Sequence, residues 1–262
     1  MTKGEGSNMN DFRKIALVTG GSRGLGKNAA LALSRKNIDV IVTYHTRNEE
    51  AEAVVREIER TGGRAAALQL DAGDTASFGA FESRLADLLR EKWGREQFDF
   101  LTNNAGFGIN APLASTTEEQ FDSLMNVHVK GVLFLTQKLL PRIADNGSVI
   151  NVSTGLTRFS LEGYGAYAAM KGAVEILTKY MAKEWGGRGI RVNTIAPGAI
   201  ATDFGGGVTR DNPAARERIG SMIALGRVGE PDDIGGVIAS LCTADMGWVN
   251  AQRVEASGGM LI

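Results

Sequence analysis

The sequence contains one cysteine, Cys242, among 262 residues. An internal disulfide is therefore excluded, and a reducing compartment fits. Cys242 sits in "VIASLCTA", a helical, apolar segment without any thiolate-stabilising pattern, and reads as buried filler. Net charge is nearly absent as well, at a formal −1. That leaves no bulk electrostatic pull toward nucleic acid or an anionic membrane. No apolar run approaches the roughly 18 residues of a membrane span, and the opening "MTKGEGSNMNDFRK" lacks a signal-peptide core. A cytoplasmic protein is expected, with a disordered polar leader at residues 1–12. Linkers, repeats and low-complexity breaks are missing too. Residues 13–262 are expected to form a single domain, and no metal site is anticipated.

What the sequence does contain is an alternation. Short β-rich runs, "KIALVT", "DVIVTY", "AALQL", "FDFLTN", "GSVINVS", "IRVNTIA" and "QRVEAS", are separated by segments of helical period. Apolar strands alternating with helices predict a parallel sheet of about seven strands covered on both faces. This is the doubly wound, Rossmann-type α/β fold, which binds ligands at the carboxyl ends of its strands. Residues 203–222 break the rhythm with a Gly-rich polar stretch, "DFGGGVTRDNPAARERIGS", expected to be a mobile loop over the substrate.

The first strand runs into "VTGGSRGLGKNAA". Glycines at Gly20, Gly24 and Gly26 suit a turn in which a pyrophosphate approaches bare backbone at a helix N-terminus. Ser22, Arg23 and Leu25 complete that turn. An acid at the end of the second strand would grip the ribose hydroxyl of NAD, whereas a base accommodates the extra phosphate of NADP. Here the strand ends in "VTYHTRNEE", with His45 and Arg47 and no acid before them. With Arg23 close by in the turn, NADP(H) is expected over NAD(H).

A second pattern is "VSTGLTRFSLEGYGAYAAMK". Tyr167 and Lys171 are four residues apart and share one face of a helix. Tyr164, flanked by Gly163 and Gly165, falls before the helix proper, so Tyr167 is the stronger candidate acid. A free phenol has a pKa near about 10, which a neighbouring cation would lower.

In this order and spacing the motifs resemble the short-chain dehydrogenase/reductases of the one-domain type, from Ile15 nearly to the end of the chain. They comprise Thr19-Gly-x-x-x-Gly-x-Gly26, "NNAG" at 103–106, Asn126 in "MNVHVKG", Tyr167-x-x-x-Lys171, Pro197–Gly198 followed by Thr202, and Gly258–Gly259. The resemblance implies that Tyr167 is the general acid/base and that Lys171 lowers its pKa and bonds the nicotinamide ribose. It implies that Asn126 holds a water linking Lys171 to a proton relay. Asp71 and Ala72 would flank the adenine, Asn104, Ala105 and Gly106 the adenosine, and Ile200 and Thr202, after Pro197 and Gly198, the nicotinamide amide. The family usually places a serine thirteen residues before the tyrosine; here that residue is Thr154, which keeps the hydroxyl. Ser257, where an acid is commoner, is a second departure. Neighbouring strand residues point to opposite faces, so Thr154 rather than Ser153 is expected to face the substrate.

The implied activity is NADP(H)-dependent reduction of a ketone or aldehyde to an alcohol, and the reverse. Alternatives are an NAD-dependent alcohol dehydrogenase, a 3-oxoacyl-thioester reductase, or a non-catalytic NADP-binding sensor. Phe107, Ile109, Leu156, Phe159, Leu161 and Phe204 are expected as apolar pocket walls. Neither nucleic acid nor membrane is an expected partner, and the family suggests a homotetramer.

Overall fold

A computed structural model of the chain describes residues 13–262; the expected leader lies outside the described residues. The described residues form seven strands: β1 (Ile15–Val18), β2 (Asp39–Tyr44), β3 (Ala65–Gln69), β4 (Phe98–Asn103), β5 (Ile143–Val152), β6 (Arg191–Pro197) and β7 (Arg253–Ala256). They form one sheet in the order β3-β2-β1-β4-β5-β6-β7, and every pairing is parallel. This is the doubly wound Rossmann-type arrangement. The chain builds outward from β1 through β2 to β3, then returns to place β4 on the other side of β1. Their carboxyl ends therefore open into the crevice where such sheets bind ligands.

Alternation along β1 shows how the layers assemble. Ala16 and Val18 enter one buried cluster, Ile15 and Leu17 the other. The first cluster takes Leu33 from α1 (Gly24–Arg35), Val54 and Ile58 from α2 (Asn48–Arg60), and Ile234 and Ile238 from the helix Pro231–Leu241. The second takes Phe81 and Leu85 from α3 (Phe78–Leu88).

A long helical run follows β4. It consists of α4 (Glu118–Met125), a wide-turned segment at Asn126–Gly131, and α5 (Val132–Leu139). Thr117 and Gln120 close a reciprocal capping box at its start. Helix α6 (Gly165–Trp185) lies against β6. Along it Met170, Val174 and Met181 are buried, with Leu177 partly so, one stripe of helical period.

Residues 203–222 correct the loop expectation, because most of them are helical. After a turn at Phe204–Gly207 come α7 (Val208–Asp211) and α8 (Pro213–Gly220); Pro231–Leu241 is then α9. Asn212 caps α8 by accepting from the Ala215 N–H at 3.0 Å, and Pro213 fits the first helical position. The composition was polar enough for a loop, but cap and proline stand where a helix starts. Gly205, Gly206 and Gly207 all have positive φ, +62° to +79°, which explains three glycines in a row.

Candidate active site

The dinucleotide turn is built from three strands. Gly20 N donates to Thr43 Oγ1 of β2 at 3.2 Å, and Gly21 N donates to Thr43 O at 2.8 Å. From the β4 side, Asn104 Nδ2 donates to Thr19 O at 2.9 Å and Gly20 O at 3.2 Å. Thr19 Oγ1 accepts from the N–H groups of Asn104 and Ala105. Asn104 thus braces the turn with its side chain. A Cβ on Gly26 would stand 2.2 Å from Gly20 O, so only glycine lets α1 begin so close to β1. The first amide of α1 with a helical partner is Lys27, donating to Arg23 O at 3.1 Å; the amides ahead of it in the first turn have no intrahelical acceptor. Arg23 makes no side-chain cap, and Ser22 is buried beneath the turn. This bare helix N-terminus fits a pyrophosphate.

At the end of β2, His45 Nε2 lies 3.4 Å from Asp71 Oδ2, while Arg47 pairs with Glu50. Asp71 also accepts from Gly73 N at 2.8 Å, and Ala72 follows it at the rim. On the opposite wall, Pro197 ends β6 and Gly198 N donates to Ala256 O. Ile200 bridges to Gly229, and Thr202 faces Gly24 across the crevice. Arg23 Nη1 is 3.1 Å from Asp203 Oδ2, tying the segment that leads into α7 to the dinucleotide turn.

Beside this crevice lie the groups expected to carry chemistry. Tyr167 is 6% exposed and Lys171 4%. Lys171 Nζ donates to Val152 O at 2.7 Å and stands 5.8 Å from the Tyr167 ring centre. Burial brings its pKa down to about 8. Burial also pushes the Tyr167 phenol above its ordinary value, with the Thr154 hydroxyl pulling the other way and Tyr164 adding to the rise. This corrects the expectation that Lys171 lowers the phenol: in this structure the ammonium bonds the end of β5, and desolvation dominates. Thr154 and Ser153 diverge. Ser153 Oγ donates to Glu175 Oε1 at 2.7 Å, whereas Thr154 Oγ1 accepts from Leu156 N at 3.3 Å and keeps its own proton free for the site.

Three ring contacts run across the site: Phe107–His128 at 5.6 Å, His128–Tyr167 at 5.3 Å and Tyr167–Phe204 at 5.5 Å. Ile109, Leu156 and Tyr164 pack around Tyr167.

Comparison with known proteins accounts for this arrangement. Residues 20–261 match a family model described as enoyl-(acyl carrier protein) reductase. The chain belongs to the short-chain dehydrogenase/reductase family. It is 34% identical to the hydroxynaphthalene reductase-like protein Arp2 of Metarhizium brunneum, over 94% of each chain. Among solved structures it resembles LugOII, a promiscuous reductase that catalyses keto-reduction at C1 during lugdunomycin biosynthesis. There the TM-score is 0.90 and identity 36%, covering 95% of this chain and 98% of that one. It also resembles the angucycline C-6 ketoreductase LanV with bound NADP, at TM-score 0.90 and 34% identity, covering 96% and 97%. The protein is thus an oxidoreductase of this family.

Asn126 opens the wide-turned segment of the helical run. Its side chain is half-buried, and the carboxamide accepts from Lys130 Nζ at 3.0 Å. His128, two residues on and so on the opposite face, is the side chain brought against Tyr167. It is 1% exposed, its Nε2 lies 2.7 Å from Phe107 O, and its Nδ1 has no partner. The Phe107 N–H is also 3.4 Å from Nε2, too long to compete, so Nε2 carries the proton. Burial and the Lys171 charge bring this imidazole's pKa down to about 3 against the pull of the Phe107 carbonyl, keeping it neutral. Gly106 packs directly on it: a Cβ there would meet His128 Cε1 at 2.5 Å. A signal existed in the sequence. Leu124, His128, Val132 and Leu135 are spaced as one buried helical stripe, from which Asn126 is excluded.

Two pocket walls also move. Phe159 packs on Gly155, with the Arg158 guanidinium 5.3 Å from its ring centre, and Leu161 is 39% exposed; neither joins the cluster around Tyr167. Between them and Thr154 lies the turn at Gly155–Thr157, after which Arg158 reaches Glu255 of the C-terminal strand. Among the described residues no group of side chains could hold a metal ion, and no helix is long and apolar enough to cross a membrane.

Proposed function

We propose that the protein is an NADPH-dependent ketoreductase acting on ketones with a flat, apolar, aromatic body. The observation that carries this reading is the convergence of the Tyr167 phenol and the Thr154 hydroxyl at a buried site walled by rings, next to the bare amides of the dinucleotide turn. When bound, the nicotinamide supplies the hydride. Tyr167 donates a proton to the carbonyl oxygen, and Thr154 donates a hydrogen bond to the same oxygen. A phenol pushed up by burial stays protonated at neutral pH, which suits the reductive direction. Lys171 orients the end of β5, and neutral His128 holds the Phe107 carbonyl without adding charge.

Preference for NADPH is supported by Arg23, by the lack of an acid at 45–47, and by the NADP in LanV. The aromatic substrate class is supported by Phe107, Tyr167 and Phe204, and by the names of LugOII, LanV and Arp2. Exposed Phe134, Ile176 and Tyr180 on the outer faces of α5 and α6 support an assembly of several copies through those helices.

The test is Tyr167→Phe, assayed with NADPH and 1-tetralone. Reduction should fall at least about 10³-fold, while NADPH fluorescence still reports binding. Turnover within tenfold of the wild type would sink the reading.

A further inference from the structure

One cluster beside the site plays no part in the scheme above. Glu175 Oε1 accepts three hydrogen bonds: from Ser153 Oγ at 2.7 Å, Thr157 Oγ1 at 2.8 Å and Arg253 Nε at 2.8 Å. Glu175 lies on α6 four residues beyond Lys171 and eight beyond Tyr167, so the helix that carries the phenol also carries this carboxylate. Arg253 comes from β7, at the far end of the chain. Its Nη2 donates to Thr154 O at 3.1 Å, and its Nη1 to Glu255 Oε2 at 2.8 Å. Arg158 then joins Glu255 through two bonds, at 2.8 and 2.6 Å, and donates to the carbonyls of Met260 and Leu261. Ser257 Oγ donates to Glu255 Oε1 at 2.7 Å. The side chains of Glu175, Arg253 and Glu255 are 16%, 24% and 18% exposed, so water screens them only in part.

The residues on either side of Thr154, and its own carbonyl, are therefore tied down from α6 and β7. Thr154 itself has extended backbone, and its hydroxyl spends only a lone pair, on Leu156 N. Within the turn, Thr157 Oγ1 also lies 3.0 Å from the Thr154 carbonyl, so the tie reaches Thr154 through its backbone. The forked guanidinium suits this task, since one planar group spans a carboxylate, a hydroxyl and a carbonyl at once.

We propose that Glu175 and Arg253 are positioning residues that hold Thr154 at the Tyr167 phenol, with the C-terminal strand serving as the strut. The proposal rests on the reading of Tyr167 and Thr154 as the pair that engages the carbonyl oxygen. Arg253 touches neither reacting atom and acts through Thr154. Its effect on turnover should accordingly vanish once the Thr154 hydroxyl is gone.

The experiment is a double-mutant cycle with NADPH and 1-tetralone. Arg253→Met should lower kcat about tenfold and leave the Kd for NADPH unchanged. In a Thr154→Val background the same substitution should change kcat by less than about twofold. Arg253→Lys, which keeps charge but not the fork, should recover only part of the loss. Equal losses in both backgrounds, or wild-type kcat in Arg253→Met, would overturn the proposal. Should Arg253→Met not fold, Glu175→Gln, which keeps shape and loses charge, carries the same cycle. A second readout needs no turnover: with threonine methyl labelling, the Thr154 Cγ2 resonance should show added rotamer averaging in either variant. An unchanged methyl signal would also count against it. Tyr167→Phe separates the two claims, because an active Tyr167→Phe enzyme refutes the function, while additive losses refute only the strut.

Discussion

The two ends of the parallel sheet handle buried charge in opposite ways. At the amino ends, Asp39 and Asp99 are almost wholly buried and fully engaged. Asp39 accepts from Arg64 Nε at 2.9 Å and Trp93 Nε1 at 2.8 Å. Asp99 accepts from Lys14 Nζ at 2.9 Å, Arg95 Nη1 at 2.8 Å and Ile15 N at 2.9 Å. Burial would raise the Asp99 pKa, but Arg95, Lys14 and the Ile15 N–H together bring it below the ordinary value, so the charged form is favoured. Around Tyr167, at the carboxyl ends, the reverse holds. Tyr167 is pushed up, while Lys171 and His128 are pushed down, each toward its neutral form, and no carboxylate among the described residues bonds the ammonium. One end spends its polar groups on holding strands together. The other keeps groups desolvated and underpaired, a condition that costs stability and suits proton transfer.

That contrast can be broken by substitution. Asp99→Ala removes the acceptor shared by Lys14, Arg95 and Ile15 N, and should cost about 3 kcal/mol in chemical denaturation with kcat unchanged. Because the folded-state pKa of Asp99 lies below 3.8, its stabilisation is complete above that pH and lost as pH falls through the folded value. The gap between wild type and variant should therefore close in acid. Thr154→Val should lower kcat about 100-fold, or about 2.7 kcal/mol, whereas Ser153→Ala, which leaves Glu175 its bonds from Thr157 and Arg253, should cost less than about threefold. The opposite ranking in a steady-state assay would reassign the substrate hydroxyl.

Lys171→Met tests the other half of the contrast. It should abolish turnover yet stabilise the fold at pH 7 by about 1–2 kcal/mol, read from the thermal midpoint. The sign follows from a folded-state pKa of about 8 against 10.5: charging Lys171 penalises the folded form below pH 8, and the advantage of the variant shrinks as pH rises from there toward 10.5. A destabilised Lys171→Met would mean that the bond to Val152 O outweighs desolvation. Smallest is Arg23→Ser, which should weaken NADPH binding about fivefold and leave NADH unaffected. Its side chain is half exposed and shared with Asp203, which limits the effect.

Much of this molecule could be read along the chain, and the exceptions have a common cause. Strands and helices of one period, a glycine turn after the first strand, and a tyrosine four residues before a lysine are local patterns that need no knowledge of neighbours. The place of His128 against Tyr167 is not carried by the Asn126 motif; the helical stripe through Leu124, His128 and Val132 determines which side chain faces inward. In residues 203–222 a glycine-rich composition masks the Asn212-Pro213 start signal of a helix. That Phe159 packs back on Gly155 depends on the turn at 155–157, which residue type does not show.

Order and period along the chain were enough for a doubly wound sheet, a dinucleotide turn and a phenol with an ammonium on one helical face, since each depends on residues a few positions apart. Packing alone settled how those groups are charged and held. The pKa of Tyr167, the company of His128, and the Glu175–Arg253 tie on Thr154 depend on burial and on contacts between residues as many as 99 positions apart, and no local pattern encodes a distance between strands.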